Sequence, residues 1–272
     1  VQRFATLADL DRHDCTIEER EEYRPYVRQG LVIFAGVDYR AILDAAEAEA
    51  DLILWDGGNN DFPFIRADLT IVVCDALRAG HGLDYYPGET NFRAADIVVI
   101  NKTGLARPAD VETIKAIKAA INPGAALVTA DLEVTVEEPS VVAGKRVLVI
   151  EDGPTVTHGG MGYGAGWVAA QRYGAKEMID PRAFAEGSIG DVYKAHPQLL
   201  AVLPAMGYSP DQRRALKATI EASGAELVLN ASPADIARLL DLTVPTVQVS
   251  YRFVARKGVD LLARARALLP GH

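Results

Sequence analysis

The sequence predicts an α/β protein built on a mostly parallel sheet with helices on both faces, and three observations carry that expectation. Short continuous apolar, mostly β-branched runs such as Leu69 to Cys74, Ile97 to Ile100 and Arg146 to Ile150 have the pattern of buried parallel strands. Between them lie stretches of helical period, for example Val111, Ile114, Ile117 and Ile121. The composition, 49% hydrophobic and 24% charged, is that of a globular chain and excludes a disordered tail or a disulfide scaffold.

The elements follow in order. A polar opening with an acidic, helix-like stretch from Thr16 to Tyr23 precedes the apolar run Leu31 to Val37, and an Ala-rich helix is expected over Tyr39 to Ala50. Strands are expected at Asp51 to Trp55, Leu69 to Cys74 and Ile97 to Ile100; then comes the helix that Asn122-Pro123-Gly124 stops, and a strand from Ala125 to Thr129. Residues 132–144 break the rhythm with acids, Pro and Gly, so they read as the connection between a first lobe, 1–131, and a second, 145–272. In the second lobe a strand at Arg146 to Ile150 leads through a Gly-rich loop to a helix over Trp167 to Tyr173 and a strand at Glu177 to Ile179. Ser209-Pro210 and Ser232-Pro233 each read as an N-cap with Pro at the first helical position. Strands at Leu227 to Leu229 and Val247 to Val254 and a helix over Val259 to Leu269 close the chain.

Charge and cysteine content narrow the classes of function. With 28 Lys plus Arg against 37 Asp plus Glu the net charge is −9, which argues against a nucleic-acid groove but leaves room for a local anion site. Two cysteines, Cys15 and Cys74, fit a reducing, cytoplasmic compartment. No apolar run approaches the roughly 18 residues of a membrane span, and the opening lacks the apolar region of a signal peptide.

Four segments carry candidate chemistry. In LILWDGGNNDFPF (52–64) an apolar strand is expected to end on Asp56, where a carboxylate could hold Mg²⁺ beside a nucleotide phosphate as a Walker B acid does; a Gly-rich turn satisfying its own backbone is the alternative. In IVVCDALRAGHG (71–82) a strand ends on Asp75, and Arg78 and His81 could clamp a phosphate, unless Arg78 merely pairs with Asp75. DIVVINKTG (96–104) ends a strand on Asn101-Lys102, as in the NKxD element that flanks a nucleotide base, with Gly104 where the guanine-reading Asp would stand. That replacement favours ATP, with GTP as the alternative. In VLVIEDGPTVTHGGMGYGAGWVAA (147–170) a strand runs through a Gly-rich loop into a helix; Thr155, Thr157, His158, Gly159, Gly160 and Gly162 could surround a substrate phosphate, with Arg182 in reach. Close packing of the helix is the alternative for its glycines. The only Gly-Lys, Gly144-Lys145, precedes a strand and cannot act as a Walker A loop.

Together WDGGNNDFPF, DALRAGH, YPGETNFRAADIVVINK and EDGPTVTHGGMGYGAGWVAAQRYGA resemble the cyclic 2,3-diphosphoglycerate synthetase family and its bacterial relatives labelled as GTPases. The stretch from Asp56 to Lys102 is also similar to the lipid A 4′-kinase family. The resemblance implies a P-loop NTPase-like lobe without its Walker A strand, loop and helix, hence the C-terminal part of a longer protein, joined to a second α/β lobe. It further implies an ATP- and Mg²⁺-dependent ligase that closes an intramolecular phosphoanhydride in a small phosphorylated acid. Asp56 would be the metal-binding acid, Asp75, Arg78 and His81 its phosphate-side neighbours, and Asn101 and Lys102 the residues flanking the base. Thr155, Thr157, His158, Gly159, Gly160 and Arg182 would hold substrate phosphates. A regulatory or metallochaperone-type GTPase and a non-catalytic phosphate-binding module are the rival functions, and a homodimer is compatible with all three.

Overall fold

The computed structural model describes residues 1–58, 61–157, 159–206 and 209–269. In chain order the elements are β1 (Gln2–Phe4), α1 (Leu7–Arg12), α2 (Ile17–Arg28), β2 (Ile33–Ala35), α3 (Tyr39–Glu47), β3 (Ile71–Asp75), α4 (His81–Asp84), α5 (Gly88–Ala94), β4 (Ile97–Asn101), α6 (Pro108–Ile121) and β5 (Ala126–Val136). There follow β6 (Arg146–Asp152), α7 (Gly153–Val156), α8 (Ala165–Arg172), β7 (Glu177–Met178), α9 (Ser188–Ala195), β8 (Leu203–Ala205), α10 (Pro210–Ala222), β9 (Leu227–Asn230), α11 (Ile236–Leu240), β10 (Thr246–Gly258) and α12 (Leu261–Arg266). The chain forms two compact units: one holds residues 1–3, 34–133 and 253–272, the other residues 4–33 and 134–252.

In the first unit β3, β4 and β5 pair in parallel, with Asp75 opposite Asn101 and Ile100 opposite Thr129. β4 is apolar on both faces because both are covered. Val98 and Ile100 pack with Phe92 of α5 and Val111 and Ile114 of α6, while Ile97 and Val99 pack with Val128, Val259 and Leu261. Asn122, expected to stop α6, does so and also ties it down: its amide donates to the carbonyls of Phe92, Arg93 and Ala95.

In the second unit β6 is the centre, pairing in parallel with β7, β8 and β9, and β9 pairs in parallel with β10. Val147 and Val149 face one cluster with Ala169 and Ala170 of α8; Leu148 and Ile150 face another with Ile189 of α9 and Leu216 and Ile220 of α10. α10 begins on Ser209 with a full capping box to Gln212, as its Ser-Pro signal predicts.

Two expectations fail. Residues 53–58 form no strand, and Leu52 to Trp55 are exposed, so the Walker B geometry expected at Asp56 is not formed among the described residues. An apolar run becomes a strand only where a neighbouring strand takes its backbone groups, and this one has none. Ser232-Pro233 starts no helix: Ser232 is tied into a buried turn, its N–H donating to Asn230, and Asp235 caps α11 instead. Residues 132–136, at the start of the segment expected to connect the two lobes, continue β5.

Gly258 lies at φ +127, and a Cβ there would meet the carbonyl of Leu127. Gly258→Ala is expected to lower unfolding stability by about 1–3 kcal/mol, measured by urea titration, with little change in far-UV circular dichroism.

Candidate functional site

The C-terminal tips of adjacent parallel strands are where an open α/β sheet leaves backbone and side chains free for ligands. At the tips of β3 and β4 the structure brings Asp75, Asn101 and Lys102 together. Lys102 Nζ donates to Asp75 Oδ2 at 2.7 Å, and both side chains are about a quarter exposed, at 28% and 25%. Asp75 Oδ1 accepts from the N–H of Leu77, capping the short 3-10 turn Ala76–Arg78 and so fixing the carboxylate at the strand end. Asn101 Oδ1 accepts from the N–H of Lys102, whose φ of +60 is a left-handed conformation rare for a side-chain-bearing residue. Such strain persists only where neighbours hold it.

What holds it is Asp131, just past the tip level of β4 on β5, which the sequence did not single out. Its Oδ1 accepts from the N–H of Gly104 at 2.6 Å and from Thr103 Oγ1, and its Oδ2 accepts from Arg256 Nε. These donors hold its carboxyl below the usual range against the opposing effect of burial. Gly104 replaces the expected guanine-reading acid, yet a carboxylate stands beside it all the same, since a Cβ at 104 would lie 3.2 Å from Asp131.

The other expected residues of this unit lie around the β3 tip in sequence. Arg78 ends the 3-10 turn, and His81 opens α4 with its ring against Tyr85, centroids 4.7 Å apart. Asp56 lies in the exposed segment, where Asp61 Oδ2 accepts from the N–H of Gly58; Asn59 and Asn60 are outside the described residues. No group of three or more metal-ligating side chains occurs among the described residues.

In the second unit the Gly-rich loop is organised by a residue that the sequence reading passed over. Glu151, at the end of β6 and 2% exposed, accepts from the backbone N–H groups of Gly164, Gly166 and Trp167 at the start of α8, at 2.8–3.2 Å. A carboxylate of the protein thus takes the place at the helix start expected to attract a phosphate. Gly164 and Gly166 are needed for close packing: a Cβ on the first would lie 2.5 Å from Glu151, and on the second 2.6 Å from Val149. Gly162 likewise packs on the carbonyl of Gln198, whereas Gly160, at φ +64, faces open space. Thr155 Oγ1 donates to Asp152, and buried Thr157 donates to the carbonyl of Gly153. Gly159 follows in the loop, and His158 lies outside the described residues. Arg182 is clasped by Asp180, Nε to Oδ1 at 2.8 Å and Nη2 to Oδ2 at 2.5 Å. The signal for Glu151 was present: an acid at the end of an otherwise apolar strand, directly before glycines and a helix.

No family model matches the chain. The chain is 54% identical over 251 residues to arginine synthetase ArcE of Thermococcus kodakarensis, a match covering 92% of this chain and 56% of that protein. Cyclic 2,3-diphosphoglycerate synthetases of Thermococcus sibiricus and Thermococcus gammatolerans match at 27% over 130 residues and 31% over 121 residues. Those matches cover 46% and 43% of this chain but only 29% and 26% of the synthetases. The chain thus spans about half the length of arginine synthetase and under a third of the other two. The expected resemblance to cyclic 2,3-diphosphoglycerate synthetase is present over less than half the chain; the likeness to arginine synthetase was not foreseen.

Burial pushes the Glu151 carboxyl up to about 7, with Asp152 adding repulsion, against the three N–H groups that favour the charged form. Because the folded value lies above the ordinary 4.5, the native state holds a proton that the unfolded state has lost. Stability from this group is full below about pH 4.5 and is lost as pH rises through about 7, a change of about 3 kcal/mol. Denaturation of Glu151→Gln across pH 4.5–8 should lack that slope; an unchanged slope would place its source elsewhere.

Proposed function

We propose that this chain is the part of an ATP-dependent ligase that makes arginine or a close analogue. The observation that carries the proposal is the 54% identity to arginine synthetase across 92% of the chain. The strand-tip cluster supplies a compatible site. ATP, when bound, would activate an oxygen of the co-substrate by phosphoryl transfer, turning a poor leaving group into a good one.

In this reading Lys102 meets the phosphate oxygens, and Asp75 holds the ammonium in place through its 2.7 Å contact. Asp75 would be the carboxylate offered to a phosphate-bound Mg²⁺, and Arg78 and His81, adjacent in sequence, would answer further phosphate charge. Asn101 fixes the left-handed turn at Lys102, so that the pair serves the nucleotide as a unit. ATP is the nucleotide assigned, because the carboxylate beside Gly104 is already engaged by Gly104, Thr103 and Arg256 and is not free to read guanine. A P-loop NTPase-like arrangement of this unit belongs to the same proposal. Thr155, His158, Gly159, Gly160 and Arg182 are assigned to an anion site of the second unit; Thr157 and Gly162, which serve the carbonyls of Gly153 and Gln198, are not.

The matches at 27% and 31% favour a second reading, closure of a phosphoanhydride in a bisphosphorylated acid. The two are separated by running the reaction backwards on the full-length protein. Arginine with Mg²⁺, ADP and phosphate should yield ATP together with ammonia and the ureido acid in which an oxygen from phosphate replaces the guanidinium nitrogen. Lys102→Ala should lower that rate about 10²–10³-fold while the protein stays folded. No ATP from arginine, together with a cyclic product from ATP and 2,3-bisphosphoglycerate in phosphorus NMR, would establish the second reading instead.

A further inference from the structure

The sheet of the first unit has a second end. At the N-terminal ends of β4 and β5, opposite the tips that carry Asn101 and Lys102, a cavity of about 410 Å³ opens among Arg93 to Asp96, Asn122, Gly124 to Ala126 and Arg264. Its makeup follows from how the sheet is covered. α5 lies on one face, where Phe92 packs with Val98 and Ile100, and α12 begins on the other, where Leu261 packs with Ile97 and Val99. The last turn of each helix carries an arginine, Arg93 in α5 and Arg264 in α12, and both line the cavity.

The polar groups of the cavity are held in place by the protein itself. Asp96 Oδ2 accepts from the N–H of Thr70 at 2.8 Å, and the Asp96 backbone bonds to Thr70 and Ala126. Asn122 gives its amide N–H groups to three carbonyls and its Oδ1 to the N–H of Ala125, so it walls the cavity without offering a group to it. A single oxygen of Glu89 accepts from Nε and Nη2 of Arg93, which leaves the Nη1 donors of that guanidinium. The guanidinium of Arg264 meets no carboxylate among the described residues.

Two arginines and one carboxylate match a simple anion poorly, because Asp96 repels it, and a simple cation worse, because the arginines repel it. They match a molecule that carries both charges. We propose that this cavity binds an α-amino acid with a short uncharged side chain, its carboxylate on Arg264 and Arg93 and its ammonium on Asp96 Oδ1. Ala94, Ala95, Ala125 and Ala126 line the space left for the side chain. The volume is at the low end of ligand cavities, about 300–1,000 Å³, and admits such a molecule with a few waters. The place is separate from the strand-tip cluster, since five residue steps, roughly 16 Å of strand, lie between Asp96 and Asn101. The proposal stands whatever reaction the strand tips carry.

The test titrates the 272-residue chain with L-alanine and follows the backbone amides of Asp96, Gly124 and Arg264 by NMR. Those amides should shift saturably, whereas propionate, which lacks the ammonium, and ethylamine, which lacks the carboxylate, should bind at least about tenfold more weakly. Arg264→Gln, at an exposed position, should weaken L-alanine at least about tenfold, and Asp96→Asn, which keeps an acceptor for Thr70, at least about fivefold. Lys102→Ala should leave the titration unchanged, which separates this site from the strand tips. Should Asp96→Asn fail to fold, the comparison of the three probes on the unaltered chain reads the same carboxylate. Shifts that are absent or do not saturate, or propionate binding as tightly as L-alanine, would overturn the proposal. So would L-alanine binding that Lys102→Ala abolishes and Arg264→Gln leaves intact.

Discussion

The contact on which the second unit depends is the buried carboxylate of Glu151 against the first turn of α8. A helix start exposes N–H groups that must find acceptors, and burying them unpaired costs several kcal/mol in sum. Glu151 supplies one acceptor group to three of them from the central strand, which fixes α8 on β6 without a surface cap. The contact dictates the surrounding sequence. Gly164 must be Gly because Glu151 fills its side-chain space, and Gly166 must be Gly because Val149 and Ala231 do. What reads as a phosphate loop is therefore in large part a packing solution around an internal carboxyl group.

The first unit solves the same geometry differently. Two of its strands end in Asp75 and in Asn101-Lys102, Asp131 stands beside them within β5, and the charges there are partly open to solvent. Asp131 collects Gly104, Thr103 and Arg256, so the turn after β4 is braced from β5 while Lys102 is turned toward β3. A left-handed lysine braced on two sides holds its ammonium in one place before any ligand arrives, so less ordering entropy remains to be lost on binding.

Legibility in the sequence followed the range of the interaction. β4 was readable because five successive residues are buried, and the start of α10 because Ser209 and Gln212 are three residues apart. The 51–55 segment was misread because an apolar run says nothing about whether a partner strand is present. Ser232-Pro233 was misread because the capping residue serves Asn230 and Ala234 in a buried turn, a competitor invisible in local spacing. Asp75 and Lys102 could be named from their strand ends, but their contact crosses 27 residues and needs the β3–β4 register. Glu151 and Asp131 were missed because each acts on N–H groups distant in sequence, Glu151 across 13 to 16 residues and Asp131 across 27.

The difference between the two units bears on where charge can be changed during a reaction. Glu151 is surrounded by donors and cut off from water, so an incoming anion cannot displace it without unseating α8. The Lys102–Asp75 pair is a quarter exposed, and its ammonium has three donors of which Asp75 takes one. An anion can therefore join Lys102 without breaking the existing contact. Doing so brings a second negative charge close to Asp75, and at about 4 Å such a pair repels by roughly 4 kcal/mol near a protein surface. One lysine cannot offset that against a polyphosphate. Further positive charge, from Arg78 or from a cation that travels with the phosphates, is then a physical requirement of using this site, not an accessory to it.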